Sequence, residues 1–295
     1  MTSFFATNLI SILNGLAIGS LLFVLSVGLS LVFGMMNVLN LAHGALYLVG
    51  AYLGWRVLGA QPSWATFVAA VALAVVVGLL GGAVLATMTA PLVRRSHLDQ
   101  ALLTLGVALV VTELVLIVFG KDVRSVGAPP GLNGSTSVFG NAYPTYRLAV
   151  IGVGAVLAVV LYLVVERTAL GALVRATVDD REMVSAMGID RRVVLAGVFG
   201  VGSSLAVLAG VLGGPVYGAA PKLDETVLIL ALVVVVIGGL GSIQGALVGA
   251  LLIGQVESLG RALLPDLASF LLFGALALVL VLRPSGLFGS RATVS

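Results

Sequence analysis

The 295-residue chain is 60% hydrophobic and only 9% charged, with a mean hydropathy of +1.21 and a net charge of +3. Soluble domains carry about 25% charged residues, so no segment here reads as a separate soluble domain, and the thinly spread positive charge gives no nucleic-acid signal. The absence of cysteine excludes disulfides, thiolate metal sites and cysteine nucleophiles, and leaves the redox compartment open.

The chain opens on fifty-five uncharged residues, Met1 to Trp55. A bilayer core of about 30 Å takes roughly 20 helical residues, so this run is too long for one span and sufficient for two. No basic region or small-residue cleavage site precedes the first break in pattern, which argues for a retained first span rather than a removed signal peptide. That break is Met36-Asn37-Val38-Leu39-Asn40-Leu41-Ala42-His43-Gly44. Further uncharged stretches cover 57–93, 148–165, 193–221, 226–256 and 267–282. Lipid offers the backbone no hydrogen-bond partners, and the alternation of a transmembrane barrel is absent, so the expected fold is all-α and polytopic. Spans are expected near 10–33, 43–59, 64–90, 101–119, 148–165, 193–213, 226–239, 245–260 and 267–282. Whether 226–239 and 245–260 are full spans or halves of one broken element decides between nine and eight.

Residues 120–147, with Pro129-Pro130-Gly131 and Asn133-Gly134-Ser135, read as a turn-rich external loop. Residues 166–192 read as a cytoplasmic loop with a short surface helix over 176–188. Asp179 and Glu182 approximate a capping box there, Met183, Val184 and Met187 make an apolar face, and Gly188 supplies a stop. A helix of about nine residues is marginal alone and calls for a docking partner. With 91–99, 166–192 and the tail from Arg283 inside, nine of fifteen basic residues lie on the cytoplasmic side: Arg94, Arg95, Arg167, Arg175, Arg181, Arg191, Arg192, Arg283 and Arg291. The other six are Arg56, Lys121, Arg124, Arg147, Lys222 and Arg261.

The break at 34–44 has a counterpart in Gly238-Gly239-Leu240-Gly241-Ser242-Ile243-Gln244-Gly245, and His43-Gly44-Ala45-Leu46 parallels Gln244-Gly245-Ala246-Leu247. Unwound backbone inside a membrane survives only where it is buried in protein or lines a cavity, so paired interruptions point to a transport pathway. The bland alternative is two ordinary turns between spans. On the pathway reading the lining residues are Asn37, Asn40, His43, Gly44, Gly239, Gly241, Ser242 and Gln244. Three roles are open to His43: proton relay, substrate contact, or a cap for freed backbone. Asn37 and Asn40 suit loop backbone and ligand equally. Glu257 has Arg261 one turn on, and Glu113 is within reach of Lys121 or Arg124, so both acids read as ion-pair members rather than working groups. The spacings Gly15–Gly19, Gly50–Gly54 and Gly241–Gly245–Gly249 read as close helix packing.

No Gly-x-x-x-x-Gly-Lys-Ser/Thr and no His-Glu-x-x-His occurs, and no nucleophile stands at usable spacing from a base. The residues therefore suggest neither an enzyme nor a metal site, and energy for uphill transport would come from a partner or an ion gradient. The second course makes the chain a secondary transporter of a small polar solute.

Asn14-Gly15-Leu16-Ala17-Ile18-Gly19-Ser20, Gly28-Leu29-Ser30-Leu31-Val32-Phe33-Gly34, Asn40-Leu41-Ala42-His43-Gly44 and Gly50-Ala51-Tyr52 resemble the LivH-type permease subunit of branched-chain amino-acid ABC importers. Thr104-Leu105-Gly106, Arg175 to Ile189, Gly238 to Ser242 with Gly245-Ala246, and Arg283-Pro284-Ser285-Gly286-Leu287 continue the resemblance in order over nearly the full length. It implies one permease domain over 1–295 in a bacterial inner membrane with the C-terminus cytoplasmic. The partners it implies are a second homologous permease (or a second copy), two cytoplasmic ATPases and an extracytoplasmic binding protein, besides membrane lipid. ATP and Mg would sit on the ATPases, with no cofactor in this chain. Coupling to them is implied through Arg175, Asp179, Asp180, Glu182, Met183, Met187 and Gly188. The implied cargo is a branched-chain or related amino acid, with urea or short amides as alternatives.

Overall fold

The computed structural model describes residues 2–36, 39–59, 61–92, 95–179, 184, 187–188 and 190–289. The long helices are α1 (Thr2–Met36), α2 (Ala42–Leu58), α3 (Trp64–Thr89), α4 (His97–Phe119) and α5 (Thr145–Arg167), followed by the short α6 (Ala169–Asp179). Then come α7 (Arg191–Tyr217), α8 (Leu223–Gly238), α9 (Ile243–Leu263) and α10 (Ala268–Leu282). A small antiparallel hairpin, β1 (Ser135–Val138) with β2 (Asn141–Pro144), is the one sheet among the described residues. Each expected span falls on one of these helices, and six of the helices are long and apolar enough to cross a membrane by themselves. The protein is an all-α, multi-pass membrane protein.

Glycines set the packing. A β-carbon at Gly28 would stand 2.6 Å from the Gly202 carbonyl, one at Gly19 2.9 Å from that of Ala250, and one at Gly34 2.1 Å from Gly241 Cα. These pairs run α1 antiparallel to both α7 and α9 at backbone contact. The three expected spacings behave alike: Gly15 and Gly19 meet α9, Gly50 and Gly54 meet α7, and Gly245 and Gly249 meet α8. Dispersion between closely approaching backbones holds helices together where lipid removes the hydrophobic drive. The span windows of α1 and α7 are accordingly 83% and 78% buried, whereas those of α4 and α5 are 11% buried. α1 and α7 form the centre, and α4 and α5 lie outside.

Helix directions alternate, giving two faces: one carries the β-hairpin, and α10 ends at the other. α9 pairs with α1 along its length, from Gly241 against Gly34 to Gln255 against Gly15, so α8 and α9 are two antiparallel passes and not halves of one element. Arg56, Lys121, Arg124, Arg147, Lys222 and Arg261 all fall at the hairpin face, while Arg95, Arg167, Arg175, Arg192 and Arg283 fall at the C-terminal face. At the hairpin face Arg124 exchanges backbone hydrogen bonds with Ala219 and lies 4.9 Å from the centre of the Trp55 ring. At the opposite face the segment after α10 caps α8: Leu287 N–H and Phe288 N–H donate to the carbonyls of Ile237 and Gly238 at 2.8 and 2.9 Å, satisfying acceptors that a helix end leaves open.

The surface helix departs from expectation. It begins at Ala169, not near 176, because Thr168 Oγ1 accepts the Gly171 N–H (3.3 Å) and starts the helix earlier. Asp179 is the last residue of this helix as described, and Val184, within the expected 176–188, is helical again. Of the described apolar residues beyond it, Val184 is buried and Met187 is 71% exposed, with Gly188 turning the chain at φ +81°. Asp180, Glu182 and Met183 lie outside the described residues.

Candidate transport site at the helix break

α1 runs on to Met36, yet the His43 ring meets the Leu25 carbonyl at 2.9 Å, eleven residues back along α1, or about 16 Å by helical rise. The chain therefore turns back into the membrane before α2 starts. Thr104, seven residues into α4 and so about 10 Å inside the C-terminal face, touches the same segment and places the start of α2 at a similar depth.

Backbone groups of this re-entrant stretch that starts α2 find partners within the protein. The Leu41 N–H donates to Thr104 Oγ1 (3.1 Å), the Ala42 N–H to Asn40 Oδ1 (3.2 Å) and the His43 N–H to the Asn40 carbonyl (3.3 Å). Thr104 Oγ1 lies 3.0 Å from the Leu39 carbonyl, as donor. Buried peptide groups demand such partners, and no water is at hand inside a bilayer to supply them. Asn40 is the residue that caps the break. His43, fully buried, donates from Nε2 to a carbonyl that can only accept, which fixes the proton on that nitrogen and ties α2 to the middle of α1. Gly44 fits against the Asp224 carbonyl, 2.5 Å from where a β-carbon would sit. Asn37 lies outside the described residues.

The second interruption is built differently. Gly239 and Gly241 take φ of +101° and +82°, so the turn between α8 and α9 uses backbone angles that side chains disfavour. Ser242 Oγ accepts the Gly245 N–H (2.9 Å) and caps α9. The turn lies level with Gly34, at the C-terminal face. It is a tight turn at which Gly34 and Gly241 pack without any side chain between them.

Gly241, Ser242 and Gln244 line a cleft of about 350 Å³ together with Gly34, Glu166 and Arg175. Arg175 pairs with Glu166 at 3.6 Å and donates to the Val165 carbonyl, which pins α6 to the end of α5. The structure thus joins the second interruption to Arg175 from the surface helix. Asn40, His43 and Gly44 do not line this cleft, and among the described residues the two interruptions touch at the Gly34–Gly241 contact.

Two residues gain roles that sequence left unassigned. Thr104 grips the break, and Asp224, buried in the first turn of α8, accepts from Thr112 Oγ1 at 2.7 Å and links α4 to α8. A hydroxyl or carboxylate inside an apolar span is the signal that could have found both. Glu113 and Glu257 pair with Lys121 (3.7 Å) and Arg261, as their spacings suggested. Among the described residues no cluster of His, Asp and Glu is placed to hold a metal ion.

The family model for the branched-chain amino acid transport system permease component matches residues 11–281. This chain belongs to that permease family. The permease is 31% identical over 294 residues to the high-affinity branched-chain amino acid transport system permease protein LivH of Escherichia coli K12, covering 94% of each chain. It is 29% identical over 292 residues to BraD of Pseudomonas aeruginosa, a permease protein of the same description, again covering 94% of each. To LivM of Escherichia coli K12, a further permease protein of that description, it is 26% identical over 294 residues, 90% of this chain and 67% of LivM. No solved structure matches the permease significantly.

Proposed function

We propose that this permease is the membrane-spanning subunit of an ABC importer that carries a branched-chain or related amino acid inward. ATP is hydrolysed on two separate ATPase subunits, and the solute arrives from an extracytoplasmic binding protein. The observation that carries this reading is the match to LivH over 94% of each chain, with no P-loop in the sequence to supply ATP hydrolysis. The similarity to LivM supports a second, homologous permease as the other half of the membrane core. Residues 1–295 form one permease domain in the inner membrane. The C-terminal face is cytoplasmic, because the 91–99 and 166–192 segments and the tail from Arg283 carry nine of the fifteen basic residues of the sequence, and the hairpin face, with the 120–147 loop, is external.

Coupling then runs through the 166–192 loop. Exposed Met187, together with Met183, is the apolar contact offered to the ATPase, and the Arg175–Glu166 tie passes its motion to α5 and to the cleft beside Gly241, Ser242 and Gln244. Alternating access driven from outside the chain needs such a stiff link between the loop and the spanning helices.

The deciding experiment is copurification of the tagged permease from native membranes, followed by uptake in vesicles. ATPase subunits should accompany the chain and leucine uptake should require ATP. Gradient-driven uptake by the purified chain alone would overturn the reading. Replacing Met183 and Met187 with Asp should leave insertion intact and lower uptake by about tenfold or more, since burying a charge in an apolar contact costs several kcal/mol. Normal uptake would remove the coupling role.

A further inference from the structure

Thr104 Oγ1 carries one proton and has three carbonyls in reach: Leu39 at 3.0 Å across the helix gap, and Gln100 and Ala101 of its own helix, both at 3.1 Å. It also accepts the Leu41 N–H. A single hydroxyl proton serves one of these carbonyls well at a time. Two arrangements are therefore open to it. In one it donates to Leu39 and holds the unwound segment; in the other it turns back on the Gln100 carbonyl, as threonines within helices do. Parting from the segment leaves the hydroxyl satisfied, which lowers the cost of release relative to a donor with nowhere else to turn.

The helix that bears this hydroxyl is also among the least embedded. α4 has 11% of its span buried against 83% for α1, and it meets the rest of the bundle mainly along α2. Few buried contacts are the physical mark of an element that moves at low cost.

We propose that Thr104 is a positioning residue of the transport cycle, a two-position latch that holds residues 39–41 against α4 in one state and frees them in the other. This rests on the permease acting in an ATP-driven importer.

The chain has no cysteine, so a single introduced thiol reports on the segment. Leu39→Cys is placed in the assembled importer, and its rate of reaction with a small maleimide is measured at rest and after trapping with ATP and vanadate. With Thr104 intact, the rates should differ by about fivefold or more, the effect of gaining or losing one buried hydrogen bond. Thr104→Val, similar in shape but without the hydroxyl, should bring the two rates within about twofold of each other and lower uptake per ATP hydrolysed by about fivefold or more. Thr104→Ser, which keeps the hydroxyl, should restore both.

Equal labelling in the two states with Thr104 intact overturns the latch, and this holds even if Thr104→Val fails to assemble. Wild-type labelling and uptake in Thr104→Val overturn it as well. Failure of the importer reading looks different: the unmodified parent shows no ATP-dependent uptake, and the latch falls with it.

Discussion

The two interruptions of this chain are close in sequence character and opposite in construction. At residues 39–41 the backbone is unwound inside the membrane, and the segment is held by side chains: Thr104 from α4, Asn40 from within the break, and His43 from the first turn of α2 onto α1. At 239–242 the chain turns at the membrane face, and what it needs is the absence of side chains, with Gly241 against Gly34 and two glycines at positive φ. One region depends on polar partners and the other on empty space. Substitutions should therefore fail for different reasons in the two places.

The largest effect belongs to the glycine contact. Gly34→Val puts a β-carbon about where Gly241 Cα already stands, and neither backbone can rotate out of the way. Overpacking costs 1–3 kcal/mol where side chains can yield, so a backbone clash should cost about 3 kcal/mol or more. Thermal stability of the detergent-extracted protein should drop sharply or no monodisperse protein should be recovered. Wild-type stability would mean that the α1–α9 contact is looser than this packing requires.

His43 comes next and separates the roles left open by sequence. His43→Ala removes a fully buried ring and its bond to Leu25, and should destabilise by about 2 kcal/mol or more. His43→Gln keeps an N–H donor on a side chain of comparable reach. A structural tie predicts that Gln retains most ATP-dependent uptake, whereas a proton relay predicts that Gln and Ala are equally dead. Equal loss in both variants, with the Gln protein still stable, would restore the relay.

The comparison is sharpest between the two caps. Asn40→Ala and Ser242→Ala each remove an oxygen that accepts a backbone N–H at the start of a helix. Asn40 is fully buried, so the Ala42 N–H would lose its partner with no water at hand, at about 2 kcal/mol. Ser242 sits in the cleft at the face, where water can substitute, and its loss should stay near 1 kcal/mol or below. Equal losses in parallel unfolding measurements would mean that both interruptions see the same environment.

Much of this was legible in the chain itself, for reasons that differ by region. Spans announce themselves because lipid demands long uncharged helices, so every expected span found its helix. The acids at 113 and 257 found the partners their spacing offered. The helix over Ala169–Asp179 was not visible ahead of 176 because its start rests on Thr168, an unremarkable residue after the charged pair at 166–167. Thr104 carried no visible role because its partners, Leu39 and Leu41, are 65 and 63 residues away. The likeness of the two interruptions hid their different construction for a related cause: composition records that a helix stops, but not the depth at which it stops. Depth is set by tertiary contacts such as His43 with Leu25, and these have no local signature.

The smallest effect is expected where the charges are most conspicuous. Glu257 and Arg261 form an ion pair one turn apart on one face of α9 near its hairpin-face end. The Arg261 side chain is 71% exposed, so solvent competes for it, and exposed pairs one helical turn apart contribute about 0.5 kcal/mol or less. Arg261→Gln should shift stability by no more than that. The Glu257 side chain is only 13% exposed, and removing its partner leaves a carboxylate with poorer access to water. A loss well above 1 kcal/mol from Arg261→Gln would mean that this end of α9 is covered by another chain, which would place the hairpin-face end of α9 in the contact between permease subunits.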